Sequence, residues 1–265
     1  MLNLSHISKT FNPGTVSEKV ALNDVNLHLN KGDFVTVIGG NGAGKSTMLN
    51  AISGVFPVDC GTIEIDGRDV TNLPEYKRAA FLSRVFQDPQ FGTAATMNIE
   101  ENMALAMRRG QRRGLRWGIT ATERQMYREH LHLLGLGLED RLGSKVGLLS
   151  GGQRQALTLL MATLRTPKIL LLDEHTAALD PKTAANVLEL TQKLVEEQHL
   201  TALMVTHNMK DAIAIGNRLI MMNDGRVIVD VSGERKKALT VRQILELFEE
   251  ASGSELANDR MMLSR

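Results

Sequence analysis

Cysteine is almost absent from this chain, and aromatic residues are scarce. The 265 residues include 1 cysteine and 1 tryptophan, and aromatic residues make up 4%. Because Cys60 cannot form an internal disulfide, the chain suits a reducing compartment, and we expect Cys60 to be a small packed residue. The low aromatic content also argues against the base-stacking surfaces that bind single-stranded nucleic acid.

An excess of charge of either sign is also lacking. The chain has 31 Lys and Arg against 30 Asp and Glu, a net charge of +1, which gives no bulk electrostatic reason to expect a nucleic-acid partner. The N terminus has no charged region followed by an apolar stretch, and no apolar run approaches the length of a membrane span. We therefore expect the chain to be neither exported nor membrane-spanning by itself, and no nucleic acid to bind.

Strand and helix patterns alternate along the chain. Strand patterns fill residues 2–38, helical periodicity covers about 98–164, and strands and helices alternate from Lys168 onward. This order predicts a single α/β domain over residues 1–250 with a parallel core. We assign the core and a β subdomain to residues 1–95 and 165–250, an inserted helical subdomain to 96–164, and a flexible tail to 251–265.

The stretch GGNGAGKST lies between a buried strand pattern and a helix pattern. It matches G-x-x-x-x-G-K-[ST], in which backbone N–H groups wrap phosphate oxygens. Lys45 would reach the β- and γ-phosphates of a nucleotide, and Ser46 would bind Mg²⁺. A plain glycine turn is the alternative. The predicted nucleotide-binding set here is Gly39, Asn41, Gly42, Ala43, Gly44, Lys45, Ser46 and Thr47.

A second candidate is the stretch ILLLDEHTAALDP, where an apolar run meets two adjacent acids. Successive strand residues point to opposite faces, so Asp173 and Glu174 have different roles only if the strand ends there and the backbone turns. Asp173 would then bind the Mg²⁺ shell, and Glu174 would orient or deprotonate the attacking water. A solvated strand end is the alternative.

The third candidate is LLSGGQRQALTLL, in which Ser150 suits the N-cap of an apolar helix and the glycines permit close approach of a ligand. Taken alone, it is equally well explained as a cap and a loop.

These motifs in this order resemble the nucleotide-binding subunits of ABC transporters, over nearly the whole chain. GGNGAGKST is similar to Walker A, FQDP with Gln87 to the Q-loop, LSGGQ to the signature, and ILLLDE to Walker B. Ala178-Leu179-Asp180 resembles the D-loop, and His207 in VTHN the switch histidine. Phe11 stands where the family stacks an aromatic ring on adenine, with Val20 as a lesser neighbour; Phe11 is alternatively a core residue.

The resemblance implies a fold and a mechanism. The fold is a P-loop cassette with a RecA-like parallel core, an N-terminal antiparallel β subdomain and an inserted α-helical subdomain. Two copies would pair head to tail, so that each ATP meets Ser150, Gly151, Gly152 and Gln153 of the other copy. Gln87 would sense Mg²⁺ and water and couple to a permease. His207 would contact the γ-phosphate and support Glu174, and Asp180 would lie across the dimer seam.

The chain departs from the family pattern at His175, where proline is usual, and in AALD, where SALD is common. We expect His175 to have a structural role in the turn, since its side chain should leave in another direction from Glu174. RRGQRRGLRW holds Arg108, Arg109, Arg112, Arg113, Arg116 and Trp117, and predicts either a solvated face or a contact with a permease or anionic lipid. Met97, Met103 and Met107 are predicted to be packing residues.

The leading functional hypothesis is an ATPase that drives a separately encoded permease from the cytoplasmic side of the membrane. The sequence resembles importer cassettes that work with solute-binding lipoproteins for amino acids such as tryptophan or tyrosine. An exporter cassette and a soluble, non-transport ABC ATPase are the alternatives.

Overall fold

The computed structural model describes residues 1–111 and 118–252. The described strands are β1 (Leu2–Phe11), β2 (Lys19–Leu29), β3 (Phe34–Gly39), β4 (Cys60–Ile65), β5 (Arg68–Asp69), β6 (Leu82–Val85), β7 (Ile169–Asp173), β8 (Ala202–Val205), β9 (Arg218–Asn223) and β10 (Arg226–Ser232). The described α-helices are α1 (Lys45–Ser53), α2 (Glu75–Arg78), α3 (Ile99–Met107), α4 (Ala121–His132), α5 (Gly151–Thr163), α6 (Pro181–Glu197), α7 (Met209–Ala214), α8 (Gly233–Lys237) and α9 (Val241–Ser252). None of the helices in these ranges is both long and apolar enough to cross a bilayer.

The chain divides into two compact units. Among the described residues, unit 1 comprises 1–78 and 199–252, and unit 2 comprises 79–111 and 118–198. In unit 1, β2, β1, β4 and β5 form an antiparallel sheet in that order. β3 lies between β8 and β9 and runs parallel to both. The antiparallel β subdomain and the parallel core strands match the predicted α/β fold.

One strand runs against the predicted direction. We expected a parallel core, but β10 pairs antiparallel with β9. The cause is the two-residue turn between them: Asp224 and Gly225 have φ of 45° and 75°, the left-handed pair that a tight hairpin requires. The core sheet is therefore mixed at this edge.

α9 covers the core of unit 1. Its apolar residues Ile244 and Phe248, one helical turn apart, are buried against Ile38, Leu219 and Met221. The helix extends to Ser252, one residue beyond the predicted start of the tail, and residues 253–265 of that tail lie outside the described range.

In unit 2, β6 and β7 are parallel neighbours, and the helices α3, α4 and α5 share an apolar core. Met103 is fully buried in that core, as predicted, and Met97 and Met107 are partly buried. The expectation for Cys60 is wrong, because the residue is exposed. Cys60 is the first residue of β4, whereas β5 pairs only with the other end of that strand. β5 therefore does not cover Cys60.

Candidate functional site

The phosphate loop (residues 39–47) has the strand–turn–helix context that the sequence predicted. β3 ends at Gly39 and α1 begins at Lys45. Gly42 and Gly44 have φ of 82° and 98°, a region that residues with a Cβ rarely adopt. A Cβ on Gly44 would lie 2.6 Å from the carbonyl oxygen of Ala21, so the backbone there leaves no space for a side chain.

Lys45 lies back across this loop. Its Nζ donates hydrogen bonds to the carbonyl oxygens of Gly39, at 2.8 Å, and Gly40, at 3.2 Å. Gly44 is the N-cap of α1 and has no side chain to accept from the first amides of the helix. A lysine ammonium and the N-terminal amides of a helix attract an anion, so this loop suits the phosphates of a nucleotide.

The predicted adenine residues lie on paired strands. Val20 on β2 pairs with Thr10 and is 51% exposed, while the Phe11 ring packs edge-on against Phe56 at 5.2 Å between centroids. Lys19 was not predicted, but its Nζ lies 3.5 Å from where a Cβ on Gly42 would be. The sequence signal that could have identified Lys19 was a basic residue next to Val20, which was itself predicted to lie near the nucleotide. Unit 1 thus brings β2 against the phosphate loop.

His207 follows β8, whose residue Val205 pairs with Val37 just before the phosphate loop. Thr206 N donates to the carbonyl oxygen of Val37 at 3.1 Å. The imidazole is exposed. Burial raises the pKa of the Asp211 carboxyl, and His207 acts on that pKa in the opposite direction.

In unit 2, the acid turn (residues 173–175) has the backbone bend on which the predicted division of roles depends. β7 ends at Asp173, and Glu174 has φ of 45°. Ala177 N closes the turn by donating to the Glu174 carbonyl oxygen at 3.0 Å. The two carboxyl groups therefore do not continue a regular strand. Arg84, which the sequence analysis missed, pairs with Asp173 at 2.6 Å.

His175 is 2% exposed. Its Nε2 lies 2.9 Å from Thr191 Oγ1, and that hydroxyl donates to the Val187 carbonyl oxygen, so the imidazole is the donor. Burial lowers the pKa of His175 to about 4, which keeps the ring neutral at physiological pH. The residue thus ties the acid turn to α6, in line with the structural role expected for it.

Gln155 joins three segments of unit 2. Its fully buried side chain donates from Nε2 to the carbonyl oxygens of Phe86, at 3.1 Å, and His175, at 2.7 Å. These carbonyls lie just before Gln87, which is exposed, and just after Glu174. Sequence reasoning missed Gln155, although a glutamine within the apolar part of α5 was a signal that its amide must have partners.

The N terminus of α5 is capped as predicted. Ser150 Oγ accepts from Gln153 N, and Gln153 Oε1 accepts from Ser150 N, both at 3.2 Å. A Cβ on Gly152 would lie 2.1 Å from the Thr183 methyl group, so a larger residue there would force the Thr183 side chain to shift.

Asp180 caps α6. Its Oδ1 accepts from Thr183 N at 3.1 Å, and hydrogen bonds from Thr183 lower the pKa of the carboxyl. The contact across a dimer remains a prediction.

Part of the arginine-rich segment is bound within unit 2. Arg108 pairs with Glu123 at 2.8 Å, and Arg109 donates to Ser83 and to the Arg165 carbonyl oxygen. The solvated-face interpretation is therefore wrong for Arg108 and Arg109, because their guanidinium groups have partners in the fold. Arg112, Arg113, Arg116 and Trp117 lie outside the described residues.

Comparison with known proteins gives the family. The ABC transporter family profile matches residues 22–177. The chain is 47% identical over 257 residues to the tyrosine transport ATP-binding protein of Clostridioides difficile, covering 95% of this chain and 100% of that protein. It is 34% identical to the methionine import ATP-binding protein MetN of Bartonella henselae, covering 86% of this chain and 64% of that protein.

A solved structure supports the same assignment. The dimeric post-hydrolysis state of the ATP-binding cassette MJ0796, bound to ADP and Pi, superposes with a TM-score of 0.75 at 31% identity, covering 88% of this chain and 98% of that one. The phosphate loop and the cassette fold agree with this similarity. The chain therefore belongs to the ABC transporter family, as an ATP-binding cassette that hydrolyses ATP.

Proposed function

We propose that this cassette drives the uptake of an amino acid, tyrosine being the leading candidate, through a separately encoded permease. The similarity that carries the proposal is 47% identity to a tyrosine transport ATP-binding protein over nearly the full length of both chains. A methionine import protein among the relatives supports the direction of transport. On this proposal the chain lies at the cytoplasmic face of the membrane, bound to the permease, and a solute-binding protein delivers the amino acid.

The phosphate loop and Phe11 would hold ATP. Lys45 now donates to loop carbonyls and would turn to the β- and γ-phosphate oxygens, while the Phe11 ring, with Val20 beside it, would contact adenine. The backbone conformation at Gly42 and Gly44 supports this role, since backbone amides can approach phosphates there without a side chain in the way.

Mg²⁺ fits the oxygen donors that the family pattern assigns to it. The Ser46 hydroxyl at the start of α1 and the Asp173 carboxylate at the end of β7 are hard oxygen ligands, which this ion prefers, and Gln87 would contact its shell. When bound, the ion would neutralise charge on the transferred phosphoryl group. Glu174 would take the proton of the attacking water, and His207 would support the γ-phosphate.

A second copy would complete each site. Ser150 and Gly151 are exposed at the N terminus of α5, where backbone amides and the helix dipole favour a phosphate of the partner's ATP. Asp180, at the start of α6, would contact the partner across the seam. The dimeric state of a similar cassette supports this arrangement.

The test reconstitutes the chain in vesicles with a candidate permease and a candidate solute-binding protein from the same organism. We expect tyrosine to stimulate ATP hydrolysis and to be taken up in the import direction. Movement of solute the other way would instead indicate an exporter, and ATP turnover that no permease changes would indicate a non-transport ATPase.

Glu174→Gln tests the chemical step. We expect ATP turnover to fall by about 100- to 10,000-fold, the contribution of a positioned general base, with ATP trapped in a closed dimer. Glu197→Gln, which changes an exposed acid at the end of α6, is the matched control. Retained turnover in Glu174→Gln would exclude Glu174 as the base.

A further inference from the structure

The acid turn carries an ion pair that none of the predicted roles requires. Arg84 Nη2 lies 2.6 Å from Asp173 Oδ2, and the two side chains are only 10% and 13% exposed. Charges so far removed from water interact more strongly than a surface pair, and removing one of them would leave the other as a costly unpaired charge. Asp173 is therefore already neutralised by a residue of its own chain.

The strand register explains how Arg84 reaches this position. β6 and β7 are parallel, and Arg84 pairs with Leu171. Alternate residues of a strand share a face, so Arg84 lies on the same face of the sheet as Leu171 and Asp173. Asp173 is two residues beyond Leu171, the residue with which Arg84 pairs. The guanidinium carbon lies 4.7 Å from the centre of the Phe86 ring, a cation–π contact that fixes the arginine where it meets Asp173.

We propose that Arg84 is an internal counter-ion for Asp173 that competes with Mg²⁺ and so sets the Mg²⁺ concentration at which this cassette binds ATP productively. The inference rests on the proposed role of Asp173 as the Mg²⁺ carboxylate. A guanidinium and a hydrated divalent cation both satisfy the charge of one carboxylate, and a fixed positive charge beside the ligand lowers its affinity for a second cation. Arg84 would thus keep the buried acid paired in the absence of metal and weaken metal binding.

The experiment measures the half-saturating Mg²⁺ concentration for binding a fluorescent ATP analogue, with wild-type protein and two variants. Arg84→Gln keeps an N–H donor for Asp173 but removes the charge, and we expect its half-saturating Mg²⁺ concentration to fall about tenfold. Arg84→Lys keeps the charge and should stay near the wild-type value. In EDTA, Arg84→Gln should melt at a lower temperature than wild type. Adding Mg²⁺ and ATP should raise the melting temperature of Arg84→Gln by more than it raises that of wild type.

Arg124→Gln is the matched control, because it removes an arginine that pairs with Glu100 at 2.7 Å on the surface of unit 2. Its Mg²⁺ dependence should equal that of wild type. If Arg84→Gln does not fold, Arg84→Met carries the same expectation. An unchanged or higher Mg²⁺ requirement in the charge-removing variants would overturn the inference. If ATP binding to the wild type ignores Mg²⁺, or Asp173→Asn leaves the Mg²⁺ dependence intact, the proposed role of Asp173 fails instead.

Discussion

The phosphate loop is shaped mainly by its own backbone, whereas the acid turn is held by side chains from other parts of the chain. The loop uses backbone: positive φ at Gly42 and Gly44 creates a concave run of amides, and the lysine returns to the loop's own carbonyls. The acid turn also has one left-handed residue, Glu174, but side chains from distant segments hold it. Arg84 comes from β6, Gln155 from α5 and Thr191 from α6. A backbone site is thus local in sequence, whereas a side-chain site depends on three other elements.

The largest expected effect breaks the backbone site. Gly44→Ala places a methyl group 2.6 Å from the Ala21 carbonyl oxygen at φ of 98°. We expect nucleotide affinity to fall about 1,000-fold, or about 4 kcal/mol, because the loop must shift away from its amide geometry. Equilibrium binding of ATP measures the loss. Gly32→Ala has a similar φ, 84°, with open space around it, and should bind ATP normally.

Next in size is the link from α5 to the acid turn. Gln155→Met keeps the volume but removes both amide hydrogen bonds, and we expect the free energy of unfolding to fall by about 3 kcal/mol, because two carbonyls lose their donor. kcat should fall more than KM rises, since the segments of Gln87 and Glu174 lose a shared support. Urea unfolding and steady-state kinetics measure the two effects. Gln125→Met, at an exposed position on α4, should change neither.

A smaller effect comes from pH. Burial lowers the pKa of His175 from 6.5 to about 4, so the unfolded chain takes up the proton more readily than the folded one. The contribution of His175 to the free energy of unfolding is fully present above pH 6.5 and is lost as the pH falls towards 4. Between about pH 7.5 and pH 5 we expect a loss of about 2 kcal/mol that His175→Gln does not show.

Urea unfolding at the two pH values checks this expectation. His130→Gln, which changes a partly exposed histidine on α4, should retain the wild-type pH dependence. Equal pH dependence in wild type and His175→Gln would show that the buried imidazole does not titrate in this way.

The smallest effect separates capping from function. Ser150 and Thr120 are both N-cap residues in a capping box, in which the third residue of the helix, Gln153 or Glu123, bonds back to the N-cap. Ser150→Ala and Thr120→Ala should each lower the free energy of unfolding by about 1 kcal/mol. If Ser150 also contacts the partner's ATP, only Ser150→Ala should reduce ATP-dependent dimerisation, as measured by light scattering. An equal effect of both variants on dimerisation would reduce Ser150 to a cap.

Much of the fold could be predicted because local pattern and local structure agree. The run Phe34–Ile38, the glycines and the helix from Lys45 are contiguous in sequence, and their structure follows from their own backbone preferences. α9 received no prediction, since its short apolar face is defined only by what it packs against. Exposure of Cys60 depends on where β5 stops pairing, which no local pattern reveals.

The sequence by itself determined the order of motifs, the bend expected at Glu174 and the residue types suited to phosphate and Mg²⁺, because each depends on neighbours along the chain. Tertiary structure alone decided that Arg84 faces Asp173, that Gln155 supports the residues beside Gln87 and Glu174, and that His175 is neutral against Thr191. These contacts join residues 16 to 89 positions apart, and strand register and helix packing bring such residues together.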